Sequence, residues 1–146
     1  MFKNIQFKEN EMIGIVCVDD NFGMMFNNRR LSQDKVVTEK ILDISKNSKL
    51  WLCRFSYSLF DKINTANINI DDNFLSEAAQ GEYCFIENKE LIPYEKWFEK
   101  IIVFKWNRKY PSDFQLDIDL TSWKLIETNE FVGNSHKNIT MEVYTK

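Results

Sequence analysis

Residues 100–146 decide the predicted fold, and they read KIIVFKWNRKYPSDFQLDIDLTSWKLIETNEFVGNSHKNITMEVYTK. Apolar and polar residues alternate over positions 114–120 and again over positions 139–144. A period of two places successive side chains on opposite faces, so each run is predicted to be a strand with one buried face. Turn-forming residues at 110–113 and 133–135 separate the runs, and the whole pattern predicts a C-terminal β-meander.

Further strands are predicted upstream of the meander. Residues 12–18 (MIGIVCV) and 101–104 (IIVF) are apolar at consecutive positions, which is typical of a strand covered on both faces. Residues 50–60 return to a two-residue period with aromatic side chains on one face, which predicts another strand. Residues 2–7 are predicted to form a short strand or an arm, and residues 64–72 an edge strand or a loop.

One main helix is predicted to begin at Ser32, which is a favoured type of N-cap residue. Its apolar positions Val37, Ile41 and Ile44 recur at helical spacing, and a polar run at 45–49 should end it. The predicted class is therefore α+β: an antiparallel-dominated β-sheet with a C-terminal β-meander and one main helix packed on a face. At 146 residues the chain is predicted to form a single domain, 1–146.

Charge and cysteine content suggest a compartment. The net charge is −3, and the acidic excess lies in the second half: residues 1–73 carry 10 basic and 10 acidic side chains, and residues 74–146 carry 9 and 12. Three cysteines lie singly in apolar runs, as free thiols do in a reducing compartment. The apolar runs are too short for a membrane span or a signal peptide. The chain is predicted to be cytoplasmic and to have no membrane partner.

An enzyme is one alternative that the residues leave open. His136 is the only histidine and follows Ser135 in what is predicted to be an exposed turn, so a small nuclease or hydrolase using His136 can be imagined. Motifs for zinc, phosphate loops, dinucleotides and serine nucleophiles are all missing from the sequence. The prediction is therefore no enzyme, no catalytic residue, no cofactor and no metal.

A nucleic-acid-binding module is the second alternative. The segment from Trp106 to Tyr110 places Arg108 and Lys109 between two aromatic residues, a combination that can stack bases and hold phosphates. The basic cluster is small and its surroundings are acidic, which favours the solvated tip of a hairpin instead. No direct contact with nucleic acid is therefore predicted.

An acidic surface for a protein partner is the favoured interpretation. If the apolar residues of the meander point inward, its acids point outward and would attract a basic protein. The predicted partner-binding residues are Asp117, Asp119, Glu130 and Glu142, with Asp71 and Asp72 in reserve.

The segments WNRKYPSDFQLDIDL and FVGNSHKNITMEVY resemble CdiI-type immunity proteins, the antitoxins of bacterial contact-dependent growth-inhibition systems. The resemblance covers roughly residues 97–144 and is greatest to the group paired with ribonuclease toxins. It implies a small cytosolic protein without catalytic residues that binds one cognate toxin domain one to one, and in this group the toxin is expected to be a basic ribonuclease. Such a protein would block the toxin's active site or its access to RNA.

Overall fold

The computed structural model describes residues 12–61 and 67–146, so the prediction for residues 2–7 and the start of the 64–72 segment lie outside it. The strands within the described residues are β1 (Met12–Val18), β2 (Gly23–Phe26), β3 (Arg29–Arg30), β4 (Leu50–Leu52), β5 (Ile68–Ile70), β6 (Tyr83–Phe85), β7 (Phe98–Lys105), β8 (Phe114–Gln115), β9 (Lys124–Phe131) and β10 (Ile139–Thr145). The helices are α1 (Lys35–Ser45), α2 (Arg54–Tyr57), α3 (Phe74–Glu77) and the 3₁₀ helices Ile92–Trp97 and Leu120–Ser122.

The main sheet is mixed and mostly parallel, so the predicted antiparallel-dominated α+β class was wrong. Seven strands lie in the order β5-β4-β6-β1-β7-β10-β9. The first five are parallel to their neighbours, and β10 and β9 add two antiparallel strands at one edge. A second, three-stranded sheet has the order β3-β2-β8. The chain therefore has an α/β architecture with helices beside a parallel sheet.

Central position explains the apolar runs of β1 and β7. Strand β1 lies between β6 and β7 and pairs in parallel with both. Its side chains divide between two cores: Ile13 and Ile15 pack on the α1 face, and Met12, Val16 and Val18 pack on the other. Strands covered on both faces read as continuous apolar runs, as predicted, and that pattern is typical of parallel sheets.

The predicted β-meander does not form. Strands β9 and β10 form an antiparallel pair, but β7 neighbours β10 rather than β8 or β9, so the strands of this region do not follow one another in the sheet. Of the alternating run 114–120, only β8 is a strand, and it belongs to the small sheet. Leu116, Ile118 and Leu120 are nonetheless buried, because the segment crosses the core in extended and 3₁₀ form.

The main helix is confirmed as α1, with Val37 and Ile41 buried against the sheet. Its N-cap is Asp34, whose side chain accepts a hydrogen bond from the Val36 amide, rather than Ser32. The strand predicted over residues 50–60 was wrong beyond β4, because the chain turns into α2 after Cys53. None of the described helices is both long and apolar enough to cross a membrane.

Candidate functional site

The candidate site lies where the carboxyl ends of the parallel strands meet. After β1 the chain crosses towards β4 on one side, and after β6 it crosses to β7 on the other side of β1. Connections that leave in opposite directions open a crevice outside the carboxyl ends of the strands, and open α/β sheets bind their ligands there. The crevice is therefore expected beside the ends of β1 and β6.

A buried, hydrogen-bonded Asp–His pair occupies this edge. Asp34 Oδ2 lies 2.9 Å from His136 Nδ1, and the two side chains are 0% and 3% exposed. Asp34 comes from the start of α1, and His136 comes from the loop between β9 and β10. Amides of the same loop, those of Asn134 and Ser135, donate to the two Asp34 oxygens at 2.9 and 2.8 Å. The pair thus ties the loop to the helix across 102 residues of chain.

Gly133 allows the loop to approach Asp34 this closely. A Cβ atom at this position would lie 2.5 Å from Asp34 Oδ2 and 2.7 Å from Ile139 Cδ1. Both distances are well inside van der Waals contact, so any larger residue would displace the loop. Gly133 lies three residues before the only histidine, and this proximity in the sequence was a signal for the site.

Hydrogen bonds keep Asp34 ionised. Burial by itself would raise the pKa of this carboxyl. The donors from Asn134, His136, Ser135 and Val36 outweigh burial, and the pKa of Asp34 lies well below its usual range. A carboxylate with this many donors remains charged at any physiological pH.

The other ring nitrogen of His136 faces Ser32. Ser32 Oγ lies 2.9 Å from His136 Nε2, and the Tyr110 hydroxyl lies 3.5 Å from the same atom. The indole of Trp106 stacks on the imidazole with ring centroids 4.7 Å apart. Ser32 is half-buried and borders an open cleft of about 410 Å³. A chain of hydrogen bonds therefore runs from the cleft to the buried carboxylate.

An ion pair lies beside the carboxyl end of β6. Arg30 in β3 meets Glu87, two residues past β6, through Nε–Oε2 and Nη2–Oε1 contacts of 2.8 and 3.0 Å. The hydroxyl of Ser56 in α2 donates to Glu87 at 2.8 Å. The guanidinium also lies over the ring of Phe55, 4.7 Å from its centroid. This bidentate pair holds the β2–β3 hairpin against the main sheet.

A small cavity borders both the Asp34–His136 pair and the Arg30–Glu87 ion pair. Its volume is about 20 Å³, room for about one water molecule, and its walls include Cys17, Asp34 and Glu87. Desolvation, with a smaller contribution from the charge of Glu87, raises the pKa of the Cys17 thiol far above its usual value. The thiol therefore stays protonated and is a poor nucleophile.

A larger groove opens on the other side of Asp34. It measures about 580 Å³ and lies between the first turn of α1 and residues 58–61. Gln33, Lys35 and Thr38 form one wall, and Asn134 and Ser135 close its end. This volume is within the range of about 300–1,000 Å³ that small-molecule sites occupy. Among the described residues, no three His, Cys, Asp and Glu side chains are grouped to hold a metal ion.

Most of the predicted partner-binding acids make contacts within the chain. Asp117 accepts from the Leu91 and Ile92 amides at 2.9 and 3.1 Å, and Asp119 caps the 3₁₀ helix Leu120–Ser122. Glu142 accepts from the Tyr144 hydroxyl at 2.7 Å.

The remaining predicted acids are at separate positions. Asp71 accepts from the Asn73 amide at 2.8 Å, and Asp72 accepts from the Arg54 amide at 3.0 Å. Glu130 is exposed on β9. The role of the six residues in an interface stays a prediction.

One further prediction about an exposed residue was wrong. His136 was predicted in an exposed turn, but it is 5% exposed. A base-stacking role for Trp106 was the disfavoured alternative, and this side chain is 3% exposed and stacks on His136. The amide of Tyr110 donates to buried Asp19 at 3.0 Å, so the segment folds back on the core.

The topology and the crevice define a doubly wound α/β fold with its site at the carboxyl edge. Among solved structures, a dihydrofolate reductase from Enterococcus faecalis complexed with NADP(H) and RAB-propyl is similar to this chain. The TM-score is 0.65 at 13% sequence identity, and the alignment covers 92% of this chain and 95% of that chain. No family model and no curated protein matches. The chain therefore has the fold of a dihydrofolate reductase.

This similarity corrects the functional predictions. The resemblance to CdiI-type immunity proteins rested on residues 97–144, whereas the fold of the reductase extends over 92% of the chain. The prediction of an immunity protein was wrong, and so were its cognate toxin partner and its antitoxin role. The solved structure that shares this fold is an enzyme, which contradicts the prediction of a protein that is not an enzyme. The nuclease or hydrolase alternative and the nucleic-acid alternative gain no support.

Proposed function

We propose that this chain is an enzyme that binds a small polar substrate at the carboxyl edge and exchanges a proton with it through Ser32, His136 and Asp34. The observation that supports this most is the unbroken chain of hydrogen bonds from Ser32 Oγ through both nitrogens of His136 to Asp34. It starts in an open cleft and ends at a buried charge. Ligands of doubly wound sheets bind at this edge.

Each residue has a distinct role in the proposal. Asp34 can only accept hydrogen bonds, so the hydrogen between the two residues is on His136 Nδ1. Nε2 of the neutral ring is then free to accept the hydroxyl hydrogen of Ser32. When Nε2 takes up a proton, the Asp34 carboxylate stabilises the positive ring. Ser32 Oγ is the atom that meets the substrate, and Trp106 keeps water from the face of the ring.

The NADP(H) of the similar reductase is not part of this proposal, because the residues here do not fit its phosphates. Dinucleotide phosphates bind free amides at glycine-rich starts of helices. Here the amide of Arg54, which opens α2, donates to Asp72. The amides of Leu91 and Ile92, which open the helix after β6, donate to Asp117. Carboxylates of the chain stand where phosphates would bind.

A dinucleotide-dependent reductase is the second candidate, because the similar fold extends over 92% of the chain and the solved structure holds NADP(H). Titration with NADPH, followed by nicotinamide fluorescence, separates the two candidates. Affinity in the micromolar range would favour the second candidate. The proposal made here predicts no saturation up to millimolar NADPH in the wild type. An Asp72→Ala, Asp117→Ala double variant, which removes the acceptors and releases the amides, tests whether the carboxylates are the reason.

The proposal itself is tested by separating binding from turnover. A panel of small polar metabolites is screened for binding by ligand-observed NMR, and each binder is followed for conversion. Ser32→Ala should reduce turnover at least 100-fold, within the 10²–10⁴-fold range typical of proton transfer, while changing affinity less than threefold. Ser122→Ala, which removes a hydroxyl from a turn elsewhere, is the matched control. Turnover of the Ser32→Ala variant at the wild-type rate would refute the proposal.

We also propose a cytoplasmic location and a single domain. Cys17, Cys53 and Cys84 are free thiols, as expected in a reducing compartment. The pairing of β1 with β7 and β10 beyond it joins early and late parts of the chain in one sheet, which supports one folding unit. Fractionation of the producing cells and a single cooperative unfolding transition test these two statements.

A further inference from the structure

We infer that the cleft beside β3 binds an organic anion through Arg29, so that the substrate of the proposed enzyme carries a carboxylate or phosphate group. The placement of the reacting end at Ser32 rests on the proposed function, whereas anion binding by Arg29 does not. The cleft measures about 410 Å³. Its walls are formed by Asn28, Arg29, Arg30, Ser32, Gln33 and Phe55.

Hairpin geometry sends the two arginines of β3 in opposite directions. Strands β2 and β3 are joined through Asn27 and Asn28, whose φ angles of 53° and 61° are typical of a two-residue hairpin turn. Adjacent side chains of a strand point to opposite faces. Arg30 points inward to Glu87, and Arg29 is exposed and borders the open cleft.

The two arginines also differ in whether a carboxylate balances their charge. The positive charge of Arg30 is balanced by the bidentate contact with Glu87. Within the part of the chain that the structure describes, the guanidinium of Arg29 has no carboxylate within ion-pair distance. No acidic residue is among the six that form the cleft. An uncompensated positive charge therefore faces the cleft.

The chemistry of the walls fits an anion with a polar body. A guanidinium presents a planar set of N–H donors that matches the oxygens of a carboxylate or phosphate. The side-chain amides of Asn28 and Gln33 supply further donors at the same cleft. Ser32 belongs to this wall and also contacts His136, so an anion held at Arg29 would lie beside the proton-exchanging hydroxyl.

The test uses benzoate, phenyl phosphate and the neutral benzamide, titrated into the full chain by calorimetry and by amide NMR. At least one of the two anions should bind tenfold tighter than benzamide and shift the resonances of residues 28–33. Arg29→Gln should weaken that anion at least tenfold, and Arg108→Gln, an exposed arginine in the β7–β8 loop, should leave it unchanged. The anion that binds more tightly identifies the group as carboxylate or phosphate.

Each result decides between the inference and the proposed function. Equal binding of the anions and benzamide, or equal anion binding by wild type and Arg29→Gln, overturns the inference and leaves the test on Ser32 untouched. Conversely, Ser32→Ala should still bind the anion. If Arg29 binds anions but Ser32→Ala keeps full turnover, the proposed function fails and the anion site stands.

Discussion

Asp34→Asn is the most informative perturbation, because one carboxylate joins α1 to the β9–β10 loop. The side chain is fully buried and receives the Val36, Asn134 and Ser135 amides, the Ser135 hydroxyl and the His136 ring. Asparagine keeps a single acceptor oxygen and turns an N–H group towards donors. The variant therefore loses several hydrogen bonds and leaves the His136 Nδ1–H without its carboxylate acceptor.

The expected loss of stability is about 3–5 kcal/mol, because at least two buried donors lose their acceptor at a cost of about 1–3 kcal/mol each. Total stabilities of such domains are roughly 5–15 kcal/mol, so the variant should still fold. Urea unfolding followed by tryptophan fluorescence measures the change. With an m-value of about 2 kcal/mol/M, the midpoint should fall by about 2 M. Asp43→Asn, which removes an exposed carboxylate from the Lys46 pair, should leave the midpoint unchanged.

The pH dependence gives an independent measurement of the same pair. The pKa of Asp34 lies below that of an unfolded aspartate, about 3.9, so the unfolded chain takes up the proton first. The stability from this group is present above about pH 4 and declines as the pH falls further. The difference between wild type and Asp34→Asn should therefore shrink between pH 5 and pH 2.5. A loss below about 1 kcal/mol at pH 7, or a difference that stays constant with pH, would refute the assigned role.

Three further predictions concern the scaffold. Gly14→Ala should lower the free energy of unfolding by about 1–3 kcal/mol in a urea titration, because the new Cβ would lie 2.9 Å from the buried ring of Phe98. Asp117→Asn should lower the free energy of unfolding by about 1–3 kcal/mol in the same assay, because the carboxylate that accepts hydrogen bonds from two backbone amides is replaced by a side chain with one acceptor oxygen. Burial and the neighbouring Glu142 carboxylate raise the pKa of Tyr144 to about 12, so one tyrosine should titrate late in an absorbance titration. Folding stability from this phenol is complete below about pH 10 and lost as the pH rises towards 12, a loss that Tyr144→Phe should abolish.

Local patterns predicted the elements better than their arrangement. The apolar runs of β1 and β7 and the helical spacing in α1 were recognised because burial acts directly on neighbouring positions. Strand direction depends on crossovers between distant segments, and the alternation in 114–120 was misleading because buried extended chain has the same period as a strand. The continuous runs already favoured a parallel sheet.

The site was harder to predict because its parts lie far apart in the sequence. Ser32 and Asp34 are more than 100 residues from His136, and no spacing rule connects them. Ser32 was recognised as a cap, two residues before Asp34, which performs that role. The only histidine was noticed, but its burial depends on Trp106 and on a loop held by Asp34.

Two of the acids that suggested a partner surface bind backbone amides at this edge, and a further carboxylate neutralises Arg30. Asp72 and Asp117 bind amides at the starts of helices after β4 and β6, and Glu87 neutralises Arg30. The chain thus supplies its own anions at the places where this edge could otherwise hold phosphates. Arg29 is not paired with a carboxylate in the described part of the chain, and it faces the cleft that contains Ser32. An external anion at this edge should therefore bind at Arg29 rather than at the helix starts.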